Sequence, residues 1–103
     1  MNATVKQAMI DTLAQKIAKS AIKAIPNGFS VKACKGNVKP WTKKRETIEF
    51  ELTVQTPKGQ ASHQTAHSML PTIESIMEAH HITGIVNPLY DRANNTVAFN
   101  CSL

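Results

Sequence analysis

Residues 46–55 read ETIEFELTVQ, and this stretch decides the class of fold. Apolar and polar side chains alternate along it without a break. The apolar positions are Ile48, Phe50, Leu52 and Val54, and the polar positions between them are Thr47, Glu49, Glu51 and Thr53. Because successive side chains of a strand point to opposite faces of its sheet, this alternation predicts a strand with one buried face and one face in water.

On the N-terminal side of this strand, the sequence predicts a helix, a short strand and a loop. Residues 3–25 predict an amphipathic helix that ends at Pro26-Asn27-Gly28, because apolar side chains recur three and four residues apart. Those side chains are Ile10, Leu13, Ala14, Ile17, Ala21 and Ile25. Residues 29–34 predict a strand, and residues 35–45, which read KGNVKPWTKKR, are interpreted as a long hairpin loop.

On the C-terminal side, a Pro-Lys-Gly turn at residues 57–59 leads into a segment with two interpretations. Residues 60–67 suit either a third strand or the opening of the next helix. We expect that helix over residues 69–81, with Ser68 as its cap, Pro71 in its first turn and an end at Thr83-Gly84. Residues 85–90 and 96–103 then predict a final hairpin around a turn at 91–95.

The elements follow one another in the order α-β-β-(β)-α-β-β, which predicts an α+β fold. With 103 residues, the chain has room for one hydrophobic core, so we expect a single compact domain over residues 1–103. An antiparallel sheet with one polar face would carry both helices on the other face.

The charge of the chain is concentrated in its N-terminal half. Residues 1–45 contain ten Lys or Arg residues and one acid, Asp11, whereas residues 46–103 contain two basic and six acidic residues. Such an asymmetry indicates an anionic partner such as nucleic acid, an acidic protein surface or a membrane surface. An ordinary solubilising excess of lysine is the alternative explanation.

The segment 35–45 is the first candidate binding site. Its cations surround the single tryptophan and are Lys35, Lys39, Lys43, Lys44 and Arg45. Cations on a projecting loop can neutralise phosphates, and Trp41 could stack on an unpaired base. The alternative is that Trp41 folds back on the core and that the lysines are only solvated.

A second group of cations lies on the predicted first helix. Lys16, Lys19 and Lys23 are three and four residues apart, so they share one face of that helix, opposite to its apolar face. They would broaden the positive field of the loop, or they would form an ordinary solvent-exposed face.

Other functions find little support in the sequence. His63 and His67 are four residues apart, as two metal ligands on a helix can be, but no further ligand pattern accompanies them, and we predict no metal and no cofactor. Cys34 and Cys101 form no Cys-x-x-Cys motif and are expected to be reduced, although a disulfide between neighbouring strands stays open. With no catalytic motif, signal peptide or membrane span recognised, we expect a cytoplasmic, non-enzymatic protein that does not contact membranes.

Two hypotheses follow. The first is a small binding module that contacts nucleic acid or a nucleoprotein through the loop 35–45 and the lysine face of helix 3–25. The second is a protein-interaction regulator, an inhibitor or adaptor, that docks its basic face on an acidic surface of a larger protein. Its anchors would then be Trp41 and, as a further aromatic residue, Tyr90 or Phe99. A homodimer is compatible with both, for example through the strand at 96–103.

Overall fold

The computed structural model describes the chain over residues 3–102 and its side chains over residues 6–40 and 42–102. Two helices and four strands follow one another in the order α-β-β-α-β-β. They are α1 (Ala3–Ala24), β1 (Ser30–Thr42), β2 (Arg45–Gln55), α2 (His63–Ala79), β3 (Val86–Asp91) and β4 (Thr96–Ser102). The predicted α+β class is confirmed.

The four strands form one antiparallel sheet in the order β1-β2-β4-β3. Both helices cover the same face, on which Phe50, Leu52 and Val54 of β2 are buried as the alternation predicted. The predicted apolar face of α1 is also confirmed, since Ile10, Ala14, Ile17 and Ala21 all join this core. Neither of the two described helices covers the second face of the sheet, and we call it the open face.

The prediction of a loop at 35–45 is wrong, because β1 continues through it to Thr42. Gly36 does not mark a turn here. It marks a close approach, since a Cβ atom at Gly36 would overlap Cγ2 of Ile10 and lie 2.7 Å from Cε1 of Phe50. Pro40 is compatible with a strand because β1 is at the edge of the sheet, where a missing N–H need not break a ladder.

A β-bulge changes which side chains of β1 face the core. The register shifts between Val31 and Ala33, so the pairs run from Val31↔Val54 to Cys34↔Leu52 with one extra residue in β1. Beyond the bulge, Cys34, Gly36 and Val38 lie on the helix-covered face and Lys35 lies on the open face. The regular alternation predicted for 29–34 is therefore interrupted within that segment.

The second helix begins and ends earlier than predicted. Residues 63–67 belong to α2, which settles the alternative for residues 60–67 in favour of a helix opening, and Ser62 is the N-cap, with its hydroxyl accepting from the Thr65 amide at 3.2 Å. Pro71 consequently lies inside the helix, not in its first turn. The helix ends at Ala79, and His81 follows in the left-handed region with φ 62°.

The two cysteines cannot pair. Cys34 aligns with Leu52 and Cys101 aligns with Phe50, on the two strands that flank β2. Two strand spacings amount to roughly 10 Å, whereas the Cα atoms of a disulfide lie within about 7 Å. Burial raises the pKa of Cys34 to about 11 and also raises the pKa of Cys101, so both thiols are poor nucleophiles at neutral pH.

Candidate nucleic-acid interface

The basic segment forms the outer part of a two-stranded arm. Strand β4 accompanies β2 from Glu49 to Gln55, whereas β1 and β2 pair with each other out to Thr42 and Arg45. We call residues 39–47 the hairpin arm. It lies beyond the last residue of β2 that pairs with β4.

The end of the arm is a two-residue turn made of Lys43 and Lys44. The Thr42 hydroxyl oxygen accepts hydrogen bonds from the amides of Lys44, at 3.3 Å, and Arg45, at 3.1 Å. A second irregularity in the register, between Pro40 and Thr42, leaves one extra residue in β1 just before the turn. This local bonding lets the chain reverse at consecutive cationic residues, neither of which is glycine.

Lys43, Lys44 and Arg45 carry the free positive charge of the arm, and we call them the tip cations. All three side chains are exposed, and none forms an ion pair with a described residue. By contrast, the Lys39 ammonium lies 2.9 Å from a Glu49 carboxylate oxygen. Lys39 was predicted as a binding residue, but in this structure its charge is already partly compensated.

Lys35 lies on the open face and not at the tip. It is exposed and is aligned with Glu51 across the β1–β2 ladder, without forming an ion pair with a described side chain. Together with Lys32 and Glu51 it borders a shallow cavity of about 250 Å³. Opposite charges lie side by side here, so this part of the open face is less positive than the tip.

Lys16, Lys19 and Lys23 do not share a surface with Lys35 or Lys39. They are exposed on α1, on the side of the helix opposite to the buried residues Ile10, Ala14, Ile17 and Ala21. Because α1 covers one face of the sheet and Lys35 and Lys39 lie on the other, the sheet separates the two groups. The α1 lysines therefore do not continue the positive surface of Lys35 and Lys39.

Two of the three predicted aromatic anchors can be placed. Phe99 is fully buried in the core and cannot anchor a partner, which corrects that prediction. Tyr90 is 46% exposed, and the Arg92 guanidinium lies 5.8 Å from the centre of its ring. The backbone of Trp41 belongs to β1, whereas its side chain lies outside the described residues.

Two of the four histidines, His63 and His67, lie next to each other. His63 and His67 lie on one face of α2, as their spacing predicted, with ring centroids 4.0 Å apart. Over the part of the chain that the structure describes, no group of three or more His, Cys, Asp or Glu side chains could hold a metal ion. Neither described helix is both long and apolar enough to cross a membrane.

Sequence reasoning missed two contacts that join α1 to the hairpin of β1 and β2. The Lys6 ammonium lies 2.9 Å from a Glu46 carboxylate oxygen, and the Gln7 side-chain amide donates to the Gly36 carbonyl oxygen at 2.9 Å. Each contact joins residues at least 29 positions apart, and no local pattern announces such pairs. The one signal in the sequence was the negative charge of Glu46 directly after three cations. That charge suggests an ion pair with one of these neighbours, and not with Lys6.

Comparison with known proteins adds no relative. No protein-family model, curated protein or solved structure matches this chain.

Proposed function

We propose that this protein binds nucleic acid through the tip cations of its hairpin arm. The observation that carries the proposal is the concentration of Lys43, Lys44 and Arg45 at a projecting turn, exposed and without ion pairs among the described residues. A cation that is already ion-paired would have to give up its partner to bind a phosphate. The tip cations can bind phosphates without losing such a pair and without any rearrangement of the fold.

The shape of the arm favours duplex DNA as the nucleic acid. A two-stranded ribbon is one of the two protein elements that the major groove of B-DNA, roughly 12 Å wide, admits. The two strands of the arm are spaced by about 4.8 Å, which leaves room for side chains on either side. The deep, narrow major groove of A-form RNA does not admit side chains in this way.

The expected affinity is modest and strongly dependent on salt. Each phosphate that a cation neutralises contributes a slope of about −0.9 to log K against log salt, or roughly 1 kcal/mol at about 0.15 M salt. Three tip cations therefore contribute about 3 kcal/mol, which is roughly a 100-fold change in affinity. Stacking by Trp41 on an unpaired base stays a prediction and would add to the affinity only for a nucleic acid with single-stranded bases.

The test compares two triple variants that lose the same charge. Lys43→Ala, Lys44→Ala and Arg45→Ala together remove the tip cations, and Lys16→Ala, Lys19→Ala and Lys23→Ala together serve as the matched control on the outer side of α1. Binding to a fluorescein-labelled mixed-sequence DNA duplex is measured by anisotropy over a series of salt concentrations.

We expect the tip variant to bind about 100-fold more weakly at about 0.15 M salt and to lose roughly 2.7 from the salt slope. The control should keep most of the affinity. Equal losses in both variants would mean that only the overall charge attracts DNA, and this would refute the assignment to the arm. An absence of DNA binding by the unaltered protein at low salt would refute the proposed function itself.

A further inference from the structure

The outer edge of β1 offers a second surface, and its hydrogen-bonding capacity can be worked out from the ladder. The Thr56 amide donates to the Asn95 carbonyl at 2.8 Å, so this pair is a hydrogen-bonded one between β2 and β4. Hydrogen-bonded and non-hydrogen-bonded pairs alternate in an antiparallel ladder. Counting back along the register from Thr56, Phe50 bonds to Cys101 of β4 and not to Gly36 of β1.

Gly36 must therefore point its N–H and C=O groups away from the sheet. The Gln7 side chain, which donates to the Gly36 carbonyl oxygen at 2.9 Å from the α1 side, supports this orientation independently. The same orientation recurs at every second residue, so Cys34 and Val38 also direct N–H and C=O groups outward. No described side chain or backbone group satisfies the outward groups of these two residues.

The opposite edge of the sheet is protected, whereas on this one the outward groups of three residues, Cys34, Gly36 and Val38, lie before any proline, and Gln7 bonds to the carbonyl oxygen of the middle one. The same alternation of inward and outward backbone groups places Pro88 of β3 among the outward residues. Because proline has no backbone N–H, the middle of that edge lacks a donor that an added strand would need. On β1, the corresponding proline is Pro40, beyond the three residues. An added strand is thus best templated along residues 34–38.

A wall of polar side chains from α1 runs beside this edge. Gln7, Asp11 and Gln15, each four residues apart, line a groove of about 350 Å³ together with residues 34–37 of β1. The Gln7 side-chain amide lies 2.9 Å from both the Asp11 carboxylate and the Gly36 carbonyl oxygen. Gln7 therefore occupies the position that the N–H group of an incoming strand would take.

The charge of Lys35 favours one kind of occupant. Lys35 is exposed on the open face, with no ion pair among the described side chains, whereas Lys39 lies on the same face with its ammonium already paired with Glu49. A second copy of this chain would bring the same lysines alongside these two, and like charges on adjacent strands repel. An acidic segment would instead place carboxylates beside them.

We propose that the groove between α1 and the edge of β1 binds an extended segment of another protein, with acidic side chains at alternate positions. The segment adds a fifth strand beside residues 34–38. Its acidic side chains lie on the open face near Lys35 and Lys39, and the residues between them face Gln7, Asp11 and Gln15. This surface is distinct from the tip cations and does not depend on DNA binding.

The probe for the test is a fluorescein-labelled peptide with blocked ends and the sequence Glu-Val-Glu-Thr-Glu-Val-Glu. A peptide with lysine in place of each glutamate is its control. Binding is followed by anisotropy, and the backbone amides of the uniformly ¹⁵N-labelled protein report the contact surface. We expect saturable binding of the acidic peptide alone, with the amides of Cys34, Gly36 and Val38 shifting and those of the tip cations unchanged.

Two variants test the geometry in opposite directions. Val38→Pro removes one outward donor without removing a bond to β2, and it should weaken peptide binding about tenfold while leaving DNA binding intact. Gln7→Ala frees the Gly36 carbonyl oxygen, and it should strengthen peptide binding by about 2- to 10-fold. Because DNA binding is measured on the same variants, the two proposals can fail separately.

Three results would overturn this proposal. They are the absence of saturable peptide binding, amide shifts confined to other surfaces, and a solution dimer that Val38→Pro dissociates, which would assign the edge to a second copy. If Val38→Pro does not fold, the amide map of the unaltered protein and the effect of Gln7→Ala decide the matter.

Discussion

Replacing Gly36 by alanine tests the packing of α1 on the extended strand β1. In the structure, a Cβ atom at this position would overlap Cγ2 of Ile10 and lie 2.7 Å from Cε1 of Phe50. Carbon atoms pack at about 3.5–4.0 Å, so the neighbours must withdraw by roughly 1 Å. Ile10 and Phe50 are 4% and 1% exposed, and both belong to the packed core.

The magnitude follows from two opposing effects. Inserting a methyl group into a packed core costs about 1–3 kcal/mol. Replacing glycine by alanine also restricts the unfolded chain, which favours folding by about 0.4–1 kcal/mol where the native backbone is compatible. Because α1 must shift, the Gln7–Gly36 hydrogen bond is strained as well, and we expect a net loss of about 2 kcal/mol in the free energy of unfolding. For a domain of this size, this corresponds to a fall of roughly 10 °C in Tm.

The assay is urea unfolding at 25 °C followed by far-UV circular dichroism. Asn37→Ala, one residue further along β1 and exposed, is the matched control and should change the stability by no more than about 0.5 kcal/mol. Ile10→Ala removes the overlapping atom. Combined with Gly36→Ala, it should cost less than the sum of the two single changes, with an interaction energy of about 1 kcal/mol.

A neutral or stabilising Gly36→Ala, additive with Ile10→Ala, would refute this reasoning. It would mean that residue 36 lies in an open loop, as the sequence alone suggested, and the groove proposed beside it would lose its basis.

Two further predictions concern the capping of α2 and the thiol of Cys34. Ser62→Ala removes the oxygen that accepts from the Thr65 amide and should lower the free energy of unfolding by about 0.5–2 kcal/mol, whereas Ser62→Asp should keep most of it, as measured by urea unfolding. Burial raises the pKa of Cys34 from 9.0 to about 11, so the unfolded chain releases this proton at a lower pH than the folded one. The resulting contribution to stability is complete below pH 9.0 and is lost as the pH rises toward about 11. The difference in the free energy of unfolding between the unaltered protein and Cys34→Ala should therefore change over that pH window. A difference that stays constant with pH would contradict this prediction.

The elements that the sequence predicted well are those with an unbroken local pattern. The strand at 46–55 and the helix at 3–25 each repeat their apolar residues at the period of one kind of structure, and both lie within one residue of their predicted bounds. The final hairpin also follows its turn-rich centre, where Asp91 accepts hydrogen bonds from the backbone amide and side chain of Asn94. These bonds lower the pKa of Asp91.

The candidate site was predicted in composition but not in shape. The tip cations were named from their clustering; their side chains are exposed, and their role in binding stays a prediction. Three features of the site depend on contacts between residues that are distant in sequence. They are the pairing of the segment as two strands, the ion pair of Lys39 with Glu49, and the position of the α1 lysines across the sheet from Lys35 and Lys39. Gly36 and Pro40 favour turns locally, and only the packing of Ile10 and the edge position of β1 make them suitable for a strand.

The sequence by itself determined an α+β domain with one solvent-exposed sheet face, two helices and a basic N-terminal half. This is because the spacing of apolar residues and the charge are local properties of the chain. Only the tertiary structure decided that the basic segment is an arm, that β4 is internal and so unavailable for the edge pairing considered for 96–103, and that β1 presents open hydrogen-bonding groups. The physical reason is that a strand's place in a sheet and the direction of its backbone groups are set by its partners, and these lie far away in the chain.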